Sequence, residues 1–227
     1  MIIATYNEIE NLPRLVREIV ARLPDASILV IDDNSPDGTG EWVERESAGL
    51  PQLHLIKRSG KLGLGSATIT GLQWGKTHGF DLIATMDGDF SHSPEDLVSL
   101  VATAAQDQPD ITIGSRYVAG GRIEGWSLFR HLTSRVTNGF VRIWLGLKTK
   151  DNTGAFRVYS KSALDRIELD QVQSEGYAYL SELLWRLKKA GAVAVESPIT
   201  FRDRIAGKTK TNIRVGLQVF SNLLRLK

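Results

Sequence analysis

The chain has 227 residues, 42% of them hydrophobic and 24% charged, with a net charge of +2 and no cysteine. That length and composition suit one well-buried α/β domain and exclude wholesale disorder, disulfides, cysteine-ligated zinc and a thiolate nucleophile. No apolar run approaches the roughly 18 residues of a membrane-spanning helix and no secretory signal core is present, so a soluble protein facing the cytosol is expected.

The first half alternates two patterns. Residues 1–5, 27–32, 53–57, 80–87 and 110–114 are short apolar runs that read as strands, and 12–23, 40–48, 66–78 and 94–105 have helical spacing. Ser93-Pro94 followed by Glu95 and Asp96 marks a helix start, because serine caps, proline suits the first turn and carboxylates favour the positive end of the dipole. Repeated strand–helix–strand units predict an α/β, doubly wound, mostly parallel sheet with helices on both faces. The opening strand begins at Met1 with nothing before it, unusual for a buried central strand, which reads as a late or misassigned start.

Residues 115–126, with Gly120, Gly121 and Gly125, read as a loop. Residues 129–147 read as a helix with Phe129, Leu132, Val136, Phe140, Ile143 and Trp144 on one broad side. Strands are expected at 155–160 and 192–201, a helix at 177–190, and a final amphipathic helix at 213–227. Charge is uneven along the chain. Residues 1–113 carry 8 Lys/Arg against 17 Asp/Glu, whereas 114–150 and 201–227 each carry 7 against 1. The basic segments fit an anionic partner (nucleic acid, a phosphate substrate or a membrane surface) or a solvated face.

Ligands of doubly wound sheets bind beyond the carboxyl ends of the strands, where the acidic residues cluster. Asp87-Gly88-Asp89 ends one strand, and residues two apart in extended chain point the same way. Two converging carboxylates repel unless a cation lies between them, and hard oxygens suit Mg²⁺ or Mn²⁺; solvated turn aspartates are the alternative. Asp32-Asp33-Asn34-Ser35 ends the second strand; Asp33 is assigned a ligand role toward a base or ribose, with capping as the alternative, and Asp37 a structural one. Tyr6 can stack on a base, Glu8 can accept from it, and Lys61 can reach a diphosphate. The glycines after Lys61 form neither a Walker A loop nor a dinucleotide fingerprint. His92 reads as a donor near the acidic pair, and His54, His78 and His131 as structural.

A family resemblance rests on these motifs in order: Ile2-Ile-Ala4-Thr-Tyr6-Asn-Glu8, Val30-Ile-Asp32-Asp33-Asn-Ser-Pro-Asp37, Lys61-Leu-Gly-Leu-Gly-Ser-Ala67 and Met86-Asp87-Gly-Asp89-Phe-Ser-His-Ser-Pro94. Gly114-Ser-Arg116-Tyr, Asp151-Asn-Thr-Gly-Ala-Phe-Arg157 and Phe201-Arg-Asp-Arg204-Ile-Ala-Gly207-Lys-Thr-Lys210 complete the set. The chain resembles family 2 glycosyltransferases of the GT-A fold, and among them polyprenyl-phosphate (dolichol-phosphate) mannose synthases. It departs from the family pattern at Ala4, usually proline, at Ser91, a metal-contacting glutamine in some members, and at Thr209, commonly serine.

The resemblance implies a single GT-A domain, with a nucleotide-sugar half at 1–113, an acceptor half at 114–212 and the amphipathic helix at 213–227. It implies metal-assisted, inverting transfer of mannose from GDP-mannose to a polyprenyl phosphate. Ala4, Tyr6, Glu8, Ile31, Asp33, Lys61, Asp87, Gly88, Asp89, Arg202 and Lys208 would bind the nucleotide sugar, Asp87 and Asp89 the metal, and Arg116, Arg130 and Ser134 the acceptor phosphate. Asp89 and Arg116 would be the catalytic residues. Trp126, the apolar side of 129–147 and the last helix would meet the bilayer, the protein being peripheral on the cytosolic face or held by a separate membrane subunit. The alternatives are UDP-glucose or another donor, a glycan-extending enzyme with Asp151 as base, and a non-catalytic nucleotide-sugar sensor. A nucleic-acid binder would leave the strand-end carboxylates without a purpose.

Overall fold

A computed structural model describes residues 1–203 together with Leu224 and Leu226. Strands β1 (Ile2–Thr5), β2 (Ile28–Asp32), β3 (Leu53–Lys57) and β4 (Leu82–Asp87) lie parallel in the order β3-β2-β1-β4. Beyond β4 the sheet continues through β7 (Arg157–Ser160), antiparallel to both its neighbours, then β5 (Ile111–Ser115) and β8 (Ala194–Pro198). The seven strands form the mostly parallel sheet that the repeating pattern predicts.

Each strand splits its apolar residues between two layers, because successive side chains point to opposite faces. Ile2, Leu29 and Ile31 pack with α3 (Leu64–Thr77), α5 (Leu128–Leu145) and α7 (Ala178–Lys189). Ile3, Ile28 and Val30 pack with α1 (Leu12–Arg22), α2 (Thr39–Ser47) and α4 (Pro94–Asp107) on the other face. Helix α3 sits close on the sheet because glycines face it: a Cβ on Gly71 would lie 2.5 Å from Ile2 Cγ2, and one on Gly75 2.8 Å from Ile83 Cδ1. The expected cap of α4 is present, with Ser93 Oγ accepting from the N–H groups of Glu95 and Asp96 at 3.1 and 3.5 Å.

Two expectations change in the second half. The segment 192–201 is two strands, because Ile199 changes partners: its N–H still donates to Ser115 O of β5 at 3.1 Å, while its carbonyl accepts the Arg122 N–H at 2.9 Å. After it the chain leaves β5, and β9 (Thr200–Arg202) pairs in parallel with β6 (Arg122–Glu124), a strand inside the segment expected to be loop. This two-stranded ribbon reaches the end of β4: the Arg202 N–H donates to Ser91 O at 3.1 Å, and the Thr200 N–H to Asp96 Oδ2 at 3.0 Å. A short α6 (Lys161–Leu164) follows β7 directly.

Candidate active site

At the carboxyl ends of β1, β2 and β4 the chain turns through a non-glycine residue in the left-handed region: Asn7 (φ 62°), Asn34 (φ 57°) and Phe90 (φ 61°). Asparagine adopts this conformation readily, but a bulky aromatic is strained there. The Arg14 guanidinium rests 5.0 Å from the Phe90 ring centroid, and the turn leaves Asp89 buried, its Oδ1 accepting the Ser91 N–H at 3.0 Å.

The acidic residues of the second strand end divide by role. Asp32 is fully buried and accepts from Thr5 Oγ1, the Ser35 N–H and Ser35 Oγ, which locks β1 to the β2 turn. Asp37 is structural as expected, accepting from the Thr39 N–H, Thr39 Oγ1 and the Ile9 N–H. Asp33, expected to contact a ligand, is engaged within the protein: its carboxylate pairs with Arg58 and accepts the Gly63 N–H at 3.0 Å. Arg58 also donates to Gly63 O at 2.9 Å and to Ser66 Oγ at 2.7 Å. Asp33 therefore positions the loop that carries Lys61, whose Nζ lies 4.2 Å over the Tyr6 ring. Arg58 was missed by the motif reading; its position one residue beyond β3 was the available signal.

Tyr6, Lys61 and Asp33 thus share one corner. Ala4 lies in register with Ile31 on one side and Asp87 on the other, so these three form a row across β2, β1 and β4. Glu8 accepts from Asn11 Nδ2 at 3.1 Å. Gly88 packs over β1, where a Cβ would come 3.3 Å from Ile3 Cγ2 and 3.7 Å from Glu8 Cγ.

His92 differs from its expected role. Its Nδ1 accepts the Asp87 N–H at 3.2 Å, its ring stacks on Phe156 at 4.7 Å, and burial lowers its pKa to about 4, so the imidazole is neutral. A neutral ring supports the strand end without adding charge beside the carboxylates. Ser91 Oγ, next to Asp89, is buried without a hydrogen-bond partner among the described residues. Asp87, Asp89 and this hydroxyl are hard oxygen donors. Among the described residues no cluster of three or more His, Cys, Asp or Glu forms a complete cage. Such a donor set fits an ion of the Mg²⁺ or Mn²⁺ kind, which takes its remaining oxygens from phosphates and water.

Opposite lies the basic cluster. Arg116, just past β5, has a side chain only 8% exposed and forked onto the fully buried Asp151, with Nε to Oδ2 and Nη2 to Oδ1 both 2.7 Å. Burial alone would neutralise either group, but their mutual attraction outweighs it, raising the arginine pKa and lowering the carboxyl. Asp151 also accepts the backbone N–H groups of Arg116 and Gly154. It is a saturated anchor and has the wrong setting for the general base expected of a glycan-extending enzyme.

Tyr117 carries the cluster to α5, its hydroxyl donating to Ser134 Oγ at 2.6 Å. One turn earlier, Arg130 donates to Asp203 Oδ1 at 3.0 Å and stacks 4.1 Å over Trp126. Trp126, expected at a bilayer surface, instead packs between Arg130 and Arg116 and against Phe201 at 5.3 Å. Arg130 Nε and Trp126 Nε1 are both buried without an acceptor among the described residues. The structure therefore brings Arg116, Arg130 and Ser134 together around these two donors. Arg202 lies at the edge, exposed, with Nε on Glu124 Oε2 at 3.0 Å. Lys208 and the 213–227 helix lie outside the described residues, apart from Leu224 and Leu226. On α5, Leu128, Phe129, Leu132, Val136 and Ile143 are exposed, whereas Phe140 and Trp144 pack partly against the core.

This arrangement, acidic strand ends facing a cationic cluster across a mostly parallel sheet, is that of a GT-A glycosyltransferase. The family model "Glycosyl transferase family 2" matches residues 1–168, and the chain belongs to that family. It is 41% identical over 209 residues to an undecaprenyl-phosphate mannosyltransferase of Micrococcus luteus, covering 92% of this chain and 85% of that one. It is 40% identical over 218 residues to a polyprenol monophosphomannose synthase of Mycolicibacterium smegmatis, covering 94% and 82%. Glucosyl-3-phosphoglycerate synthase from Mycobacterium tuberculosis, solved with Mn²⁺, UDP and phosphoglyceric acid, shares the fold. Its TM-score is 0.70 at 14% identity, over 99% of this chain and 76% of that one. No described helix is long and apolar enough to cross a membrane.

Proposed function

We propose that the protein transfers mannose from GDP-mannose to the phosphate of a polyprenyl phosphate, with inversion, at the cytosolic face of a membrane. The carrying observation is a pair of buried donors, Arg130 Nε and Trp126 Nε1, that have no acceptor among the described residues and lie beside Arg116 and Ser134. Buried donors normally have acceptors, and a phosphate oxygen supplies one here. The names of the two bacterial relatives point the same way.

In this reading Tyr6, Lys61 and the row Ala4–Ile31–Asp87 receive the nucleotide and its diphosphate, with Asp33 and Arg58 holding the loop of Lys61. Asp87 and Asp89, with Ser91 Oγ nearby, would hold a divalent ion, which when bound supplies charge neutralisation for the leaving diphosphate. Arg130, Trp126 and Ser134 orient the acceptor phosphate, and the Arg116–Asp151 pair fixes the wall against which it lies. An acceptor that is already an anion needs no proton removed. The saturation of Asp151 is consistent with that requirement and disfavours a hydroxyl acceptor. Orientation and preorganised charge carry the rate. The exposed apolar residues of α5 would lie against the bilayer beside the isoprenoid.

The test is incubation of the purified protein and Mn²⁺ or Mg²⁺ with GDP-mannose or UDP-glucose and a short polyprenyl phosphate, scored by the mass of the lipid product. The expected product is mannosyl-phosphoryl lipid, lost on chelation and restored by metal. A glucosyl lipid made from UDP-glucose alone assigns the other donor, and no lipid product with either overturns the reading.

A further inference from the structure

A second basic feature adjoins the cluster that the transfer reaction uses, sharing Arg116 and Tyr117 with it. A cleft of about 470 Å³ runs beside α5, with Arg135, Asn138 and Arg142 on one wall, Lys150 and Tyr117 among its other walls, and Arg116 lining it as well. No aspartate or glutamate is among the described residues that line it. Asp151 already balances Arg116; the Lys150 backbone N–H donates to Glu196 Oε2 at 2.8 Å, but no ion pair or hydrogen bond engages the side chains of Arg135, Arg142 or Lys150 among the described residues. Three exposed cations thus converge on one concavity, an arrangement that self-repulsion disfavours unless an anion enters.

The geometry of α5 shapes the site. Arg135, Asn138, Gly139 and Arg142 stand at i, i+3, i+4 and i+7 and form one line along the helix. Asn138 is fixed, its amide donating to Ser134 O and Thr153 Oγ1 and its Oδ1 accepting the Asn152 N–H. Gly139 also lines the cleft, and a Cβ there would meet nothing within 4 Å, so bare helix backbone is open between the two arginines. Arg142 is twelve residues from Arg130, about 18 Å along the axis, so the cleft starts beside the proposed acceptor phosphate position, at Arg116 and Arg135, and its far end leads away from it.

The neighbouring residues say what kind of anion fits. Leu132 and Val136 flank Arg135, and Ile143 follows Arg142, all well exposed on the adjoining strip of the same helix. A free phosphate ion has no use for an apolar strip beside its site; a phospholipid places a phosphate and acyl chains side by side. We infer that this cleft binds the phosphate headgroup of an anionic phospholipid, with the lipid's acyl chains along Leu132, Val136 and Ile143. The site orients the enzyme on the bilayer and uses Arg135, Arg142 and Lys150, none of which is assigned to the acceptor phosphate, although Arg116 forms a wall common to both. This inference rests on the membrane apposition proposed above, and on neither the donor nor the sugar.

The experiment is co-sedimentation of the full chain with vesicles of phosphatidylcholine, with or without phosphatidylglycerol. The wild-type protein is expected to bind phosphatidylglycerol vesicles more tightly. The triple variant Arg135→Gln, Arg142→Gln, Lys150→Gln should lose that preference by on the order of 100-fold, the sum of three surface cations near anionic lipid. Gly139→Leu keeps every charge, projects into open space and favours the helix, yet fills the cleft; it should also lose most of the preference. Full preference in Gly139→Leu would overturn the cleft in favour of diffuse surface attraction. Abolition of the preference by inorganic phosphate, at an ionic strength matched with chloride, would reassign the site to a free anion. Equal binding to both vesicles overturns the cleft alone, and binding to neither overturns the membrane apposition beneath it.

Discussion

Arg116 and Asp151 are joined by two parallel side-chain hydrogen bonds of 2.7 Å, and the Arg116 backbone N–H adds a third to the same carboxylate at 3.0 Å. The pair ties the end of β5 to the loop before β7, and both side chains are almost wholly removed from water. An arginine that looks in sequence like an open phosphate fork is therefore largely occupied by its own protein.

Removing one partner strands the other. Asp151→Asn or Arg116→Ala should destabilise the fold by about 3–5 kcal/mol, as for other broken buried pairs, and Arg116→Lys should not restore it because the fork geometry is lost. Urea denaturation measures this, and wild-type stability in Arg116→Ala would return Arg116 to a purely ligand-directed role. The pH dependence has a defined sign. The folded-state carboxyl of Asp151 is held below its ordinary value, by attraction to Arg116 that outweighs burial. Its stabilisation is complete above the unfolded value of about 4 and is lost as pH falls through the lower folded value. Acid melting curves of Asp151→Asn should lack that component.

Arg58 and Asp33 hold the loop at Gly63 in its left-handed conformation (φ 97°) and thereby place Lys61 over Tyr6. Arg58→Ala should raise the KM for nucleotide sugar by on the order of tenfold through misplacement of that loop, with acceptor KM unchanged. Separate titrations of the two substrates decide it; an equal rise in both would mean the pair stabilises the fold at large.

These residues also show how far sequence reading reaches. The strands β1, β2 and β4 were legible because their apolar residues alternate between two layers, and the Asp87-Gly88-Asp89 turn because its position at a strand end is a local property. The Arg58–Asp33 and Arg116–Asp151 pairs were not legible, since each joins residues 25 and 35 positions apart that only the sheet order brings together. A carboxylate at a strand end looks the same whether it faces a ligand or a neighbouring arginine. The ribbon of β6 and β9 was hidden for another reason: strands of three residues carry too little periodicity, and the change of partner at Ile199 falls inside what reads as one continuous run. Trp126 looked like an interfacial aromatic until the flanking guanidiniums were in place.

Arg130 and Trp126 contribute the two buried donors that have no acceptor among the described residues. Arg130→Ala should raise the KM for polyprenyl phosphate by about 10- to 100-fold, the range of a lost hydrogen bond to a charged group. Trp126→Phe keeps the ring over Arg130 but deletes the N–H, so a smaller rise in acceptor KM with unchanged donor KM is expected. Should Trp126→Phe leave the acceptor KM at the wild-type value, the indole N–H has no part in holding the phosphate.

Asp89 is the sharpest test of the metal assignment. It is 6% exposed, its Oδ1 is oriented by the Ser91 N–H, and it precedes the strained Phe90 turn. Asp89→Asn preserves shape and can keep that hydrogen bond, so the thermal midpoint should stay close to wild type. Turnover should fall on the order of 100-fold or more, because a neutral amide cannot supply the hard anionic oxygen that positions a divalent ion against a diphosphate. Donor-dependent Mn²⁺ binding, followed by the water-proton relaxation of the paramagnetic ion, should vanish with it. A variant that keeps Mn²⁺ binding and turnover would move the ion away from Asp89, whereas one that loses turnover but keeps the ion would make the carboxylate a ligand of the sugar instead.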